Sequence, residues 1–129
     1  MVKRCIILSQ GPVPTPEHKQ VEGGGLRCWG LALGIKANQP DVEITVAYHD
    51  SYKQKTFTKD YKNIHITTWT IDSVKELIQD FDSVIVSYCM GELSMKVADN
   101  ILPHQQLVLD CYVPIYVEVS ARNRDNLER

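Results

Sequence analysis

The sequence predicts an α/β fold, a Rossmann-like doubly wound parallel sheet of about five strands with helices on both faces. Two observations carry this. Short runs rich in Val, Ile and Leu alternate with longer segments of helical periodicity, the rhythm of βαβ units. Those runs are continuously apolar, as strands buried on both faces must be. Right-handed crossovers then give a doubly wound sheet. The 129 residues fit one domain, 1–129, large enough to bury roughly two thirds of its unfolded surface.

The elements follow in order. Residues 3–9 ("KRCIILS") read as a buried strand. Pro12, Pro14 and Pro16 exclude helix and sheet interior from the next stretch, so residues 10–25 form a long loop, expected to be poorly ordered without ligand. Leu26, Trp29, Leu33 and Ala37 then recur at helical spacing, with Cys28, Leu31 and Ile35 on the adjacent face. A helix so apolar around its circumference implies extensive burial. Gly30 and Gly34 inside it each cost roughly 1 kcal/mol against alanine, which implies that the helix backbone approaches the sheet closely. Asn38-Gln39-Pro40 stops it, and "DVEITVAY" (41–48) alternates as a strand does.

Residues 49–62 are polar, with four lysines, two tyrosines and a phenylalanine, and read as a loop. A third strand is expected at 63–69. "TIDSVKELIQDF" (70–81) reads as a helix, with Ser73 and Glu76 at capping-box spacing. Residues 82–88 are an apolar strand core. Met90, Leu93, Val97 and Ile101 repeat at helical spacing until Pro103, residues 105–110 supply the fifth strand, and 113–129 read as a closing helix.

A net charge of −2 gives no global pull toward nucleic acid. No apolar run approaches the ~20 residues that span a bilayer. The start "MVKRCIILSQ" lacks a small-residue cleavage site and reads as a strand, not a signal peptide. Cys5, Cys28, Cys89 and Cys111 form no CxxC pair and stand at no metal-binding spacing; free buried thiols of a cytoplasmic protein are the expectation. The lysines of 52–62, interleaved with Tyr52, Phe57 and Tyr61, suit either a solvated loop or peripheral contact with an anionic membrane, at the inner face.

In a doubly wound sheet, ligands bind beyond the carboxyl ends of the strands, where strand order reverses. Gly23, Gly24 and Gly25 open a helix there, and glycine permits close backbone approach while the first-turn N–H groups favour an anion. Arg27 adds a charge-assisted donor. Two readings stand: a phosphate or diphosphate contact, or glycines that only ease entry to the helix. A dinucleotide fingerprint is excluded because Cys28 stands where its third glycine belongs, and no GK[ST] follows for a P-loop. Asp110, at the end of the fifth strand, is placed either to bind a sugar hydroxyl or act as a base, or to cap the next helix.

Two stretches bear on this together. "EGGGLRCWGLALGI" resembles the GxGxRxxELAxxLA segment of group 1 (family 4-like) glycosyltransferases with the GT-B fold. "LVLDCYVPIYVEVSARN" resembles the DxYDPxxxE segment that ends the N-terminal half in a bacterial branch of that group. The resemblance implies the acceptor-side half of an enzyme that moves a sugar from a nucleotide-diphosphate donor to an acceptor hydroxyl. In that scheme Gly23–Gly25 and Arg27 face the donor diphosphate, while Ser9, Gln10, Tyr88, Glu92, Asp110 and Glu118 lie on the cleft or acceptor side. It implies neither metal nor cofactor, and as partners a C-terminal GT-B half and a nucleotide-sugar donor. Gly30 departs from the family's glutamate and Val113 from its second aspartate. Tyr88-Cys89-Met90 stands where many members place a histidine. The alternative is a stand-alone α/β module that binds a nucleotide or phosphate, or a protein partner.

Overall fold

The computed structural model describes residues 2–16, 21, 23–50, 58–87 and 91–110. Along the chain run β1 (Arg4–Ser9), α1 (Gly23–Asn38), β2 (Glu43–His49), β3 (Lys59–Tyr61), β4 (Ile64–Trp69), α2 (Val74–Leu77) continued by a 3-10 turn at Ile78–Asp80, β5 (Ser83–Ser87), α3 (Gly91–Asn100) and β6 (Gln106–Asp110). They build one six-stranded sheet in the order β3-β4-β2-β1-β5-β6. Five strands are parallel; β3 alone runs antiparallel, against β4. The architecture is the Rossmann-like one, with the order reversing between β1 and β5.

β1 sits at the centre, and Ile6, Ile7 and Leu8 are completely buried. Alternate residues feed two cores. Ile6, Leu8, Val84 and Val86 pack with Val74, Ile78, Leu93 and Val97 on the α2–α3 side. Cys5, Ile7, Val46, Ile64 and Ile66 pack with Val13, Cys28, Trp29 and Ala32 on the α1 side. Strands covered on both faces therefore show the continuous apolar runs seen in the sequence.

Several local expectations are corrected. The segment 49–62 is not wholly loop: 59–61 form an edge strand, turned into β4 by Lys62 and Asn63, both at positive φ (53 and 64). Two consecutive left-handed residues make a two-residue hairpin loop whose twist matches its strands. The helix expected over 70–81 is a single turn plus a 3-10 turn. The reason is distance: β4 and β5 lie three strand spacings apart. Crossing ~14 Å of sheet while descending ~17 Å of strand exceeds the ~19 Å that thirteen α-helical residues span. The capping box lies three residues upstream of its expected place. Thr70 Oγ1 accepts from Ser73 N (3.2 Å) and Ser73 Oγ accepts from Thr70 N (2.9 Å). Ser73 makes no side-chain cap bond to the turn after it.

In α1 the inward face is Gly25, Cys28, Trp29 and Ala32, while Leu26, Leu33 and Ala37 face outward. One helix on one sheet face buries about half its circumference, whatever its composition. A Cβ at Gly30 or Gly34 would meet nothing within 4 Å, so neither glycine serves a close approach. Gly25 does: a Cβ there would run into the Pro12 carbonyl oxygen. The start of the loop is packed as well, with Val13 fully buried in the α1-side core. The closing helix expected at 113–129 lies outside the described residues.

Gln105 ties the sheet's far end together. Its Nε2 donates to Ile78 O (2.6 Å) and Phe81 O (2.8 Å), and its Oε1 accepts from Leu102 N (2.8 Å).

Three outcomes follow for denaturant titrations. Gly30→Ala and Gly34→Ala should each raise stability by up to ~1 kcal/mol, the helix-interior cost of glycine. Gly25→Ala should instead cost about 1–3 kcal/mol, because the Pro12 segment must move. Gln105→Leu should cost about 1–3 kcal/mol by stranding buried carbonyls. Equal midpoints for Gly25→Ala and Gly30→Ala would refute the assignment of the close approach to Gly25.

Candidate functional site

The crevice of a doubly wound sheet opens where strand order reverses, here beyond the carboxyl ends of β1 and β5. Register fixes what lies there. Ser9 pairs with Tyr48 across β1 and β2, and Ser87 with Asp110 across β5 and β6. Leu8 pairs with Val86, so Ser9 and Ser87 end adjacent strands. Ser87 alternates with Val84 and Val86 of the α2–α3 core and so faces the α1 side, as Ser9 does next to Ile7. A polar row, Ser9–Ser87–Asp110, thus edges the sheet on the face where α1 begins.

α1 reaches over this row. The Arg27 guanidinium donates from Nε to Asp110 Oδ2 (2.7 Å) and from Nη2 to Asp110 Oδ1 (2.8 Å). This is a planar two-point clasp. α1 packs on β1 and β2, while Asp110 ends β6, so the arginine crosses the end of β5 to reach it. Arg27 is 42% exposed and Asp110 only 15%, which places the carboxylate toward the crevice and the cation at its rim.

Three buried hydroxyls, Ser87 Oγ, Thr15 Oγ1 and Ser94 Oγ, make no hydrogen bond among the described residues. Of these, Ser87 stands beside Asp110 at the edge of the sheet. Ser87 is 1% exposed and Thr15 6%. Buried hydroxyls are ordinarily bonded, and an orphan costs about 1–3 kcal/mol. A ligand oxygen entering the crevice would offset that cost at Ser87.

The remaining expected site residues divide plainly. Ser9 is fully buried and donates to Gly11 O (2.7 Å), which makes it part of the crevice floor and leaves its proton committed. Its carbonyl accepts from Trp69 Nε1 (2.8 Å), whose ring is covered by His49 at 4.5 Å. Gln10 is exposed beside it. Of the glycines, Gly23 is exposed, Gly24 half-buried and Gly25 buried against Pro12. Glu92 is exposed in the first turn of α3, where a carboxylate favours the dipole. Tyr88 and Glu118 lie outside the described residues. So does most of the lysine-rich segment 52–62; of its described end, Lys59 and Lys62 both stand over the Tyr61 ring, which stacks on Trp29.

Sequence reasoning missed Ser87, Thr15 and the Trp69–His49 pair. Ser87 had a legible signal, the polar end of the run "SVIVS". Thr15 had none, being one polar residue in a proline-rich loop.

At the sheet's opposite, amino edge a depression of about 630 Å³ is lined by Arg4, Lys36, Glu43, Asp60, Lys62 and His65, among others. Its polar groups are already partnered: Arg4 pairs with Glu43 (3.4 Å), and His65 Nδ1 lies within hydrogen-bond distance of Asp60 Oδ1 (2.8 Å). Among the described residues no cluster of three His, Cys, Asp or Glu could hold a metal ion, and no helix is long and apolar enough to cross a membrane. Cys5 and Cys28 are free and buried, and burial pushes the Cys5 thiol up from 9.0 to about 11.

No family model matches the chain, and no curated protein matches it. One solved structure aligned with it is described as a Rex-family repressor, at 9% identity and a TM-score of 0.49. The alignment covers 98% of this chain and 61% of that one, so this chain spans less than two thirds of that protein's length.

Two measurements test the site's physical chemistry. Asp110→Asn should lower stability by no more than ~1 kcal/mol, since the guanidinium it pairs with is 42% exposed. A raised folded-state thiol pKa means that the Cys5 contribution is intact below pH 9.0 and is lost as pH rises toward about 11. Cys5→Ala should therefore flatten the alkaline limb of stability against pH in that window. An unchanged limb would show that Cys5 is not the group responsible.

Proposed function

We propose that this chain binds a phosphate-bearing ligand at the β1–β5 crevice and serves as the acceptor-side half of a GT-B glycosyltransferase. The observation that supports this reading is the Arg27–Asp110 clasp. It joins the two segments whose sequences resemble that family, one from the start of α1 and one from the end of β6. Residues 83 positions apart meet where a transferred group would have to lie.

The chemistry follows from the clasp. A diphosphate oxygen approaching the N-terminus of α1 competes with Asp110 for the arginine fork, which suits either oxyanion. As the leaving diphosphate gains charge, Arg27 and the first-turn amides stabilise it. Asp110, released from its cation, becomes an acceptor for a sugar or acceptor hydroxyl. Ser87 Oγ, buried and unbonded, donates to a ligand oxygen below them. The C-terminal half of such an enzyme would supply the nucleotide contacts, including the other side of the diphosphate.

A second reading, a stand-alone nucleotide- or phosphate-binding module, is favoured by the polarity of the described crevice edge, where Ser9, Gln10, Ser87 and Asp110 stand.

Titration calorimetry with nucleoside diphosphates and nucleotide sugars, beside a transfer assay, separates the two. The half-enzyme reading expects millimolar affinity and no transfer by this chain, because positioning between two domains supplies much of the catalysis. Arg27→Ala should weaken binding about tenfold, ~1.4 kcal/mol. Asp110→Asn should bind the diphosphate at least as tightly, the competing carboxylate having gone. Micromolar affinity or turnover by this chain would favour the stand-alone module. Binding indifferent to Arg27→Ala would overturn the site itself.

A further inference from the structure

The two ends of the sheet are built differently. β3 has three residues, carries Lys59 and Asp60, and is closed by a tight hairpin, features that discourage edge-to-edge pairing. β6 ends the other side with none of these. Its sequence is Gln106-Leu107-Val108-Leu109-Asp110, its single charge is held by Arg27, and β5 is its one strand neighbour among the described residues. Val108 is 42% exposed on one face and Leu109 44% on the other. Leu102, just before the strand, and Met95, on the helix leading into it, are exposed as well. Among the described residues, four of the seven exposed large hydrophobic ones thus fall within the α3–β6 stretch. An apolar strand edge of this kind is a template for another strand.

We propose that β6 is a dimerisation edge that pairs antiparallel with β6 of a second copy, on a twofold axis through Val108. The commitment to a second copy rests on self-complementarity, which an interface of this symmetry requires. With Val108 opposite Val108, Leu107 falls opposite Leu109 on the α2–α3 side, apolar on apolar. On the α1 side Gln106 falls opposite Asp110, an amide donor facing a carboxylate. No like charges meet. A stable interface needs about 1,000 Å² in total, more than two five-residue strand edges bury, so the pairing must extend beyond β6 itself. The same register brings Gln106 of the second copy beside each Arg27–Asp110 clasp, so that the dimer completes the rim of the crevice. This inference does not depend on the identity of the bound ligand.

Sedimentation equilibrium of the full chain tests it. The wild type should be dimeric at micromolar concentration, and Val108→Lys, which sets two ammonium groups on the axis, should weaken association at least tenfold while the far-ultraviolet spectrum stays unchanged. Should that variant fail to fold, Val108→Cys in a Cys89→Ser, Cys111→Ser background provides the second measurement. Mild oxidation should cross-link it into a covalent dimer, whereas Lys59→Cys in the same background should stay monomeric. A wild type that remains monomeric at high micromolar concentration overturns the proposal. If its β6 amides are nonetheless protected from hydrogen exchange, the chain's own residues 111–129 are the occupant of the edge, and the proposal fails on that ground as well.

Discussion

The position of β1 constrains everything else in this protein. It is flanked by β2 on one side and β5 on the other, and its residues 6–8 have no exposure at all. A strand enclosed on four sides has to be apolar on both faces. Each neighbouring element is then placed by the need to cover one of those faces: α1 over Ile7, and α2 with α3 over Ile6 and Leu8. Because the chain leaves β1 toward β2 and returns to its other side with β5, the connections diverge at its carboxyl end. The crevice there is a consequence of the topology.

What fills that crevice follows from the polarity of strand ends. Ser9 and Ser87 stand one residue past the last core position of their strands, and Asp110 pairs with Ser87 in register. Arg27 then does two things. It holds the start of α1 against the end of β6, and it keeps the carboxylate of Asp110 paired in a setting only 15% exposed. Loss of the clasp costs little in stability and much in arrangement, since an ion pair whose cation is 42% exposed contributes modestly while its two-point geometry fixes direction. The Ser87 hydroxyl, unbonded among the described residues, is the counterpart, a small destabilisation stored beside Asp110 where a ligand could relieve it.

The glycines show how composition and position differ. Three consecutive glycines draw attention to residues 23–25, yet a Cβ at Gly23 would meet nothing within 4 Å while one at Gly25 would run into the Pro12 carbonyl. Gly30 and Gly34 face open space on a helix whose outward side also carries Leu26 and Leu33. The sequence marks all five as costly in a helix and cannot say which of them something touches.

By itself the sequence determined the sheet, the alternation and the two-sided burial of its strands, because those depend on the period and polarity of short segments such as "RCIILS" and "SVIVS". It also singled out Arg27 and Asp110, each as the charged residue beside an apolar element. Only the tertiary structure decided that these two are partners, since 83 residues separate them and nothing local to either refers to the other. Tertiary structure also decided the length of α2, where a crossing of three strand spacings leaves too few residues for a full helix, and the face of α1 that is buried. An apolar helix carries no directional information of its own; the sheet beneath it chose which side to cover.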